Sequence, residues 1–257
     1  MHDPSRGTLW LVPNTLDLGS HAETRLDAVV PSAVIERAAG LSHWVVEDAK
    51  TARAFLKRVS ALCPLAKPLQ ALDIRELPST PKDGRAAPDS LAWRALLEPA
   101  LGGQDMGLLS EAGLPAVADP GAALVAAAHD AGVTVVPLAG ASSLTLALAA
   151  SGLHGQSFAF AGYLPTEPAA RASRLRELEA RSQREGQTQM AIETPYRNAA
   201  LAAALIETLR PDTRLAIACG LTLPEGWCRT RRVRDWRVAP PSFEDKRLPA
   251  VFLWLAA

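Results

Sequence analysis

The sequence has no surplus of charge: lysine plus arginine and aspartate plus glutamate each number 27 in 257 residues. A chain with zero formal net charge is not built for indiscriminate binding to nucleic acid or anionic membrane, although a local basic patch stays open. Cysteine is scarce. Cys63, Cys219 and Cys228 have neither disulfide-framework nor metal-ligand spacing, which fits a reducing cytoplasm. His21, His43, His129 and His154 share no metal-binding spacing either, so no metal is expected. No Gly-x-Gly-x-x-Gly follows the first apolar run, and no Walker-type lysine loop or Gly-x-Ser-x-Gly turn occurs. These absences argue against nicotinamide, nucleoside triphosphate and serine-hydrolase chemistry. Met1–Gly7 has no apolar signal core. The longest apolar region, 121–153, is broken by His129, Asp130, Gly132, Pro137 and Gly140, so no membrane span is expected.

What is present is a core-forming chain, 48% hydrophobic, long enough for one large or two small domains. Short apolar runs at Thr8–Val12, His43–Val46, Leu69–Ile74, Asp105–Leu109 and Val133–Val136 read as strands. Helices are expected between them at Ser32–Ala39, Ala49–Leu62, Leu91–Leu101 and Gly121–Ala131, with another at Ser142–Ser151. Strand–helix alternation with few hairpin signals predicts a parallel α/β sheet. Pro78–Pro88, rich in turn formers, reads as a mobile loop. The later segments differ. Strands at Ser157–Ala161, Gln189–Ile192 and Arg214–Cys219 are separated by helices at Ala169–Glu185 and Asn198–Leu209. An alternating stretch at Trp227–Val233 and an apolar strand at Ala250–Leu255 then follow with no helix between. This predicts a mixed sheet in a second domain, with domains at 1–140 and 141–257.

Right-handed crossovers bring the loops after the parallel strands to one sheet edge, where open α/β sheets bind ligands. Three of those loops hold small or turn-forming residues: Pro13-Asn14-Thr15, Ser110–Pro115 and Pro137–Ser143. The longest connection runs from Met106 to Gly121, and Asp119 with Pro120 reads there as a helix N-cap and first helical residue. Glu47, Asp48 and Glu111 are candidate bases; a strand-end acid pair also caps a helix, and Glu111 also suits a solvated loop. Ser142 and Ser143 open a helix whose free N–H groups suit an anion, or serve as a plain cap. Arg229, Arg231, Arg232, Arg234 and Arg237 surround Trp236; they suit a phosphate backbone, or a charged edge strand that resists aggregation.

Taken in order, these segments resemble the tetrapyrrole methylase superfamily, and within it the ribosomal RNA small-subunit methyltransferase I branch. The resemblance rests on Leu-Trp-Leu-Val-Pro at 9–13, Val-Val-Glu-Asp at 45–48, and Leu-Leu-Ser-Glu-Ala-Gly-Leu-Pro-Ala-Val-Ala-Asp-Pro-Gly at 108–121. Val-Val-Pro-Leu-Ala-Gly-Ala-Ser-Ser-Leu at 135–144 and Ile-Glu-Thr-Pro-Tyr-Arg at 192–197 extend it. It implies two α/β domains with S-adenosylmethionine in a cleft between them, a homodimer, and ribose 2′-O methylation of ribosomal RNA or transfer to a small molecule. It places cofactor contacts at Pro13, Ser110, Glu111, Ala112, Pro115, Ser142, Ser143, Glu193 and Leu221. The chain departs from that branch at Asn14–Asp17, at Ala49-Lys50 and at Arg75–Thr80, positions suited to holding the acceptor. A cofactor-binding protein without catalysis is therefore the competing expectation.

Overall fold

The computed structural model describes residues 5–17, 24–78, 90–243 and 248–257. The chain divides into two compact units, one of residues 5–17 and 24–141, the other of residues 142–257. All but the first residue of the Pro78–Pro88 loop lies outside the described residues, as does His21.

The first unit contains β1 (Thr8–Val12), α1 (Leu26–Val29), α2 (Ser32–Gly40), β2 (His43–Val46), α3 (Ala49–Ser60) and β3 (Asp73–Glu76). It continues with α4 (Ser90–Leu96), α5 (Glu98–Leu101), β4 (Met106–Leu109), α6 (Ala122–Asp130) and β5 (Thr134–Pro137). The five strands form one parallel sheet in the order β3-β2-β4-β1-β5. Both faces are covered, which is why the inner strands read as unbroken apolar runs. Trp44, Val46, Val12 and Leu109 pack with α2 and α3 on one face. Leu9, Val45, Met106 and Leu108 pack with Leu97, Ala100, Leu124 and Ala128 on the other.

Two expected elements differ. Leu69–Ala71 is a 3-10 turn, and the strand starts only at Asp73. β3 is one of the sheet's two edge strands, with room for polar residues: Asp73 pairs with His43 at 3.2 Å and with Arg75 at 3.0 Å. The helix expected across Leu91–Leu101 is two helices. Leu97, at φ −87° and ψ 1°, separates them, and Pro99, which has no N–H to continue a ladder, sits in the first turn of α5.

Gly107 lets Trp44 lie flat against β4. A Cβ at position 107 would stand 2.6 Å from Trp44 Cε3 and Cζ3. Gly107→Ala is expected to cost about 1–3 kcal/mol by overpacking, partly recovered in the Gly107→Ala/Trp44→Phe pair; urea unfolding of both variants measures it.

The second unit contains α7 (Ser143–Ser151), β6 (Phe158–Tyr163), α8 (Pro168–Glu185), β7 (Thr188–Glu193), α9 (Asn198–Thr208) and β8 (Arg214–Cys219). β9 (Trp227–Arg232), α10 (Val233–Val238) and β10 (Ala250–Leu255) complete it. Its sheet is mixed, in the order β6-β7-β10-β8-β9. β6 and β7 are parallel; β10 runs antiparallel to both β7 and β8, and β9 antiparallel to β8. One face packs Ile217, Phe252 and Trp254 against Leu175, Leu178, Leu201, Leu205 and Trp236. The other packs Met190, Ala216, Ala218, Val251 and Leu253 against Ala147 and Leu148 of α7. The alternating stretch at 227–233 ends as a strand at Arg232, and the next residues turn into α10 because Val233 and Trp236 are buried one helical turn apart.

Candidate functional site

The strand order places a topological switch point between β4 and β1. The connection from β1 passes over β4 to reach β2, and that from β4 passes over β1 to reach β5. Loops leaving two neighbouring strands in opposite directions open a crevice at their carboxyl ends. Pro13 follows β1, Ser110–Pro115 follow β4, and Glu47 and Asp48 follow β2, so these seven candidates (Pro13, Glu47, Asp48, Ser110, Glu111, Ala112 and Pro115) share that edge.

Side-chain amides and backbone hydrogen bonds fasten the loops together. Asn14, only 3% exposed, donates through Nδ2 to Ser110 O at 3.2 Å and Glu111 O at 2.9 Å. Its backbone N–H donates to Gly113 O at 2.8 Å, and Gly113 N–H returns a bond to Thr15 O at 3.3 Å. Its Oδ1 accepts from Thr15 N at 2.8 Å. Asp17 accepts from Arg58 of α3 at 3.3 Å and from Thr24 N at 2.9 Å. The β5 loop joins the same cluster through a bare backbone. A Cβ on Gly140 would stand 2.3 Å from Pro13 Cγ, so only glycine permits this approach.

Acidic groups gather on this frame. Glu47 Oε2 accepts from Glu111 N at 3.1 Å, and Thr51 Oγ1 donates to Glu111 Oε1 at 3.2 Å. Burial pushes the Glu47 carboxyl above the usual carboxylate range, with Glu111 and Asp48 adding to the rise and the Glu111 N–H opposing it. Asp119 is raised further, to about 7, by burial first and then by the charges of Glu47 and Glu111. Asp48 moves the other way: its carboxylate accepts from Thr51 N at 2.7 Å as the N-cap of α3 and is held below its usual value by that bond. Asp48 is thus committed to a helix cap, and Glu47 and Asp119 are the protonatable pair.

Asp119 does not cap α6. Gly121 occupies the N-cap at φ 125°, without a side-chain cap bond. The preceding loop holds Ala116 and Ala118 at φ 66° and 65°, left-handed values that cost a non-glycine residue about 1 kcal/mol or more. The backbone turns Asp119 into the acidic cluster instead of toward the helix. Asn14 and Asp119 lie in loops that the sequence singled out, Asn14 with no role of its own and Asp119 as a helix cap; Thr51 is the site residue that nothing local marked.

Ser110 is the first residue after β4. It is 2% exposed, and its Oγ has no hydrogen-bond partner among the described residues. A buried hydroxyl without a partner carries a desolvation penalty that a ligand acceptor or donor would relieve. Among the described residues no cluster of His, Cys, Asp and Glu suits a metal ion.

The remaining candidates belong to the second unit. Ser142, 7% exposed, is the N-cap of α7 but makes no side-chain cap bond, and Ser143 is the first helical residue. Glu193 ends β7, and Leu221 follows the end of β8; Glu193 and Cys219 both pair with Ala250, so the two strand ends lie at one sheet edge. Leu144 and Leu221 pack on the same apolar cluster, which brings the start of α7 to that edge too. The Glu193 carboxylate is already engaged, accepting from Thr194 N at 2.8 Å and pairing with Arg197 at 3.1 Å.

A ligand-binding α/β protein, with its crevice at the switch point of a parallel sheet and a second mixed-sheet unit, is the class that fold and site define. The sequence profile of the tetrapyrrole (corrin/porphyrin) methylases matches residues 35–229, and the chain belongs to that family. Ribosomal RNA small subunit methyltransferase I of Mesorhizobium japonicum is 41% identical over 133 residues, 52% of this chain and 44% of that protein. The enzyme of the same name from Vibrio cholerae is 36% identical over 129 residues, 50% of this chain and 43% of its own length. The matched part of the chain thus spans less than half the length of these curated relatives. The methyltransferase CobJ shares the fold with a TM-score of 0.57 at 18% identity, over 98% of this chain and 95% of its own.

Proposed function

We propose that this chain is an S-adenosylmethionine-dependent methyltransferase acting on a hydroxyl, with a ribose 2′-hydroxyl of ribosomal RNA as the acceptor and a homodimer as the working form. The buried, unpartnered Ser110 Oγ on a loop of small residues at the switch point carries the reading. Family membership and the printed names of the relatives support it. The residues fit such a cofactor. Ala112 and Gly113 leave the backbone open to close approach, and the carboxylates of Glu47, Glu111 and Asp119 suit a cationic ligand.

The bound cofactor would supply an activated methyl group for in-line transfer, leaving position and proton handling to the protein. Asn14 sets the height of the Ser110–Glu111 backbone, and Glu47 holds the Glu111 N–H. Pro13, Ser110, Ala112 and Pro115 would line the cofactor on the first unit. A hydroxyl acceptor must lose its proton as the new bond forms. Asp119, whose carboxyl titrates near neutrality, and Glu47 are suited to take it.

Titration calorimetry with S-adenosylmethionine tests the cofactor assignment. Wild type is expected to bind it, and Ser110→Ala to bind about tenfold more weakly at unchanged stability, since the hydroxyl has no partner to lose. Absence of binding by folded wild type would overturn the assignment. Methyl transfer from labelled cofactor to ribosomal RNA separates the enzyme from a cofactor-binding protein without catalysis: binding without transfer to any acceptor fraction supports the latter.

A further inference from the structure

The arginines around Trp236 are not equivalent in the fold. Residues 227–238 hold five arginines and one acid, Asp235, in a chain of zero net charge, so positive charge is concentrated here. Three of the five have structural partners. Arg232 and Arg234 both donate to Asp212, at 3.0 and 2.7 Å. Arg237 donates to Ile206 O and Leu209 O at 3.0 and 2.9 Å, closing the end of α9. Arg229 and Arg231 differ: neither forms an ion pair with a carboxylate among the described residues. Each guanidinium lies over an indole instead, Arg229 above Trp227 at 5.3 Å and Arg231 above Trp236 at 5.0 Å. Trp236 is itself fixed, 1% exposed and donating to Leu215 O at 2.9 Å.

The two arginines stand on β9, the terminal strand of its sheet, and both are exposed. Residues two apart on a strand project from the same face, about 6.6 Å from each other. The indoles beneath them limit the freedom both guanidiniums would lose on binding, and no carboxylate among the described residues pairs with either. A linear pair of preorganised, unneutralised guanidiniums at this spacing suits successive phosphates of an extended polyanion. A folded acidic protein would need its own carboxylates to match the strand. A flat lipid surface would not favour this pair over Arg232 and Arg234.

We infer that the β9 edge, through Arg229 and Arg231, is a docking strip for the phosphate backbone of single-stranded RNA, which presents the acceptor to the enzyme. The inference rests on the reading of an RNA acceptor, and it narrows the interaction from the cluster of five arginines to Arg229 and Arg231.

Binding of a single-stranded oligoribonucleotide, titrated against salt, tests it, with wild type, Arg229→Gln/Arg231→Gln and Arg232→Gln/Arg234→Gln. The first pair is expected to weaken binding at least tenfold and to lower the slope of log K against log salt by about 1.4, about 0.7 for each lost phosphate contact. The second pair is expected to lower the slope by no more than about 0.7, half the change of the first pair, because Asp212 already offsets one of its two charges. Glutamine keeps part of the stem over each indole. If the glutamine pair misfolds, Arg229→Lys/Arg231→Lys replaces it: charge is kept but the stacked fork is lost, and a weaker affinity at unchanged slope is expected. Unchanged affinity and slope in folded Arg229/Arg231 variants would overturn the docking strip. So would a loss shared equally with the Arg232/Arg234 pair, which marks diffuse charge, or failure of wild type to bind RNA. Calorimetry with S-adenosylmethionine separates the two levels. Binding of the cofactor retained in every variant leaves the cofactor assignment standing whatever the RNA result, whereas its absence in wild type removes both.

Discussion

Replacing Asn14 with alanine is expected to destabilise the first unit by about 3 kcal/mol, because three hydrogen bonds, two of them buried and one part-buried, lose a partner at once. The Nδ2 group bridges Ser110 O and Glu111 O, and Oδ1 holds Thr15 N–H. With Asn14 3% exposed, water does not simply take the vacated place. The carbonyls left behind keep their desolvation cost without its compensation, which is why the loss exceeds the net value of a bond made in water's presence. Asn14→Asp sharpens the test. It keeps the shape and the acceptor for Thr15 but turns a donor into a carboxylate oxygen facing two carbonyls, beside the Glu47 and Glu111 acids. It is expected to be at least as damaging as alanine. Both variants should weaken S-adenosylmethionine binding more than ten-fold, since the bridged carbonyls belong to the loop that would hold it. Denaturant unfolding and calorimetry read the two effects. A loss under about 1 kcal/mol with unaltered cofactor affinity would show that the staple is incidental.

Asp119 supplies the second large effect, and its signature is in pH. The carboxyl is raised from 3.8 to about 7 in the folded chain. A raised carboxyl binds its proton more tightly when folded. Its contribution is therefore fully present below the unfolded value, falls as pH rises from about 4, and is gone above about 7. Over that span the folded state loses on the order of 1–3 kcal/mol, since solvent screens part of the interaction of this half-buried group. Asp119→Asn, which cannot ionise, should match wild type near pH 4 and exceed it by a growing margin that levels off above about pH 7. Urea unfolding of the two proteins across pH 4–8.5 gives that difference directly. A margin that does not vary with pH would show that Asp119 is ionised throughout. Cofactor binding offers a separate readout. A cation entering beside this cluster expels the Asp119 proton, so near pH 6.5 calorimetry in buffers of different ionisation enthalpy should register proton release in wild type and less in Asp119→Asn.

Much of the first unit was legible because its inner strands are buried on both faces, so β1, β2 and β4 appear as unbroken apolar runs closed by Pro13, Glu47 and Ser110. The edge strand β3 was not, since its polar residues serve ion pairs and not a core. The loops that build the site were legible as a group from their small and turn-forming residues. Their internal roles were not. Asp119 looked like a cap because Asp-Pro before an alanine-rich run usually is one; two left-handed alanines and Gly121 send it elsewhere. Asp48 read as either base or cap, and its bond to Thr51 N decides for the cap.

The sequence by itself determined the alternation of strands and helices, the change from a parallel to a mixed sheet, the stretch at 108–121 and the family. Each depends on local pattern: periodicity, turn chemistry and the order of short motifs. Only the tertiary structure decided which acid stands beside which, that Asn14 bridges a loop almost a hundred residues away, and that two of five clustered arginines rest on indoles while two share Asp212 and one closes the end of α9. Charge, burial and hydrogen bonding depend on distance in space, and residues far apart in the chain set them.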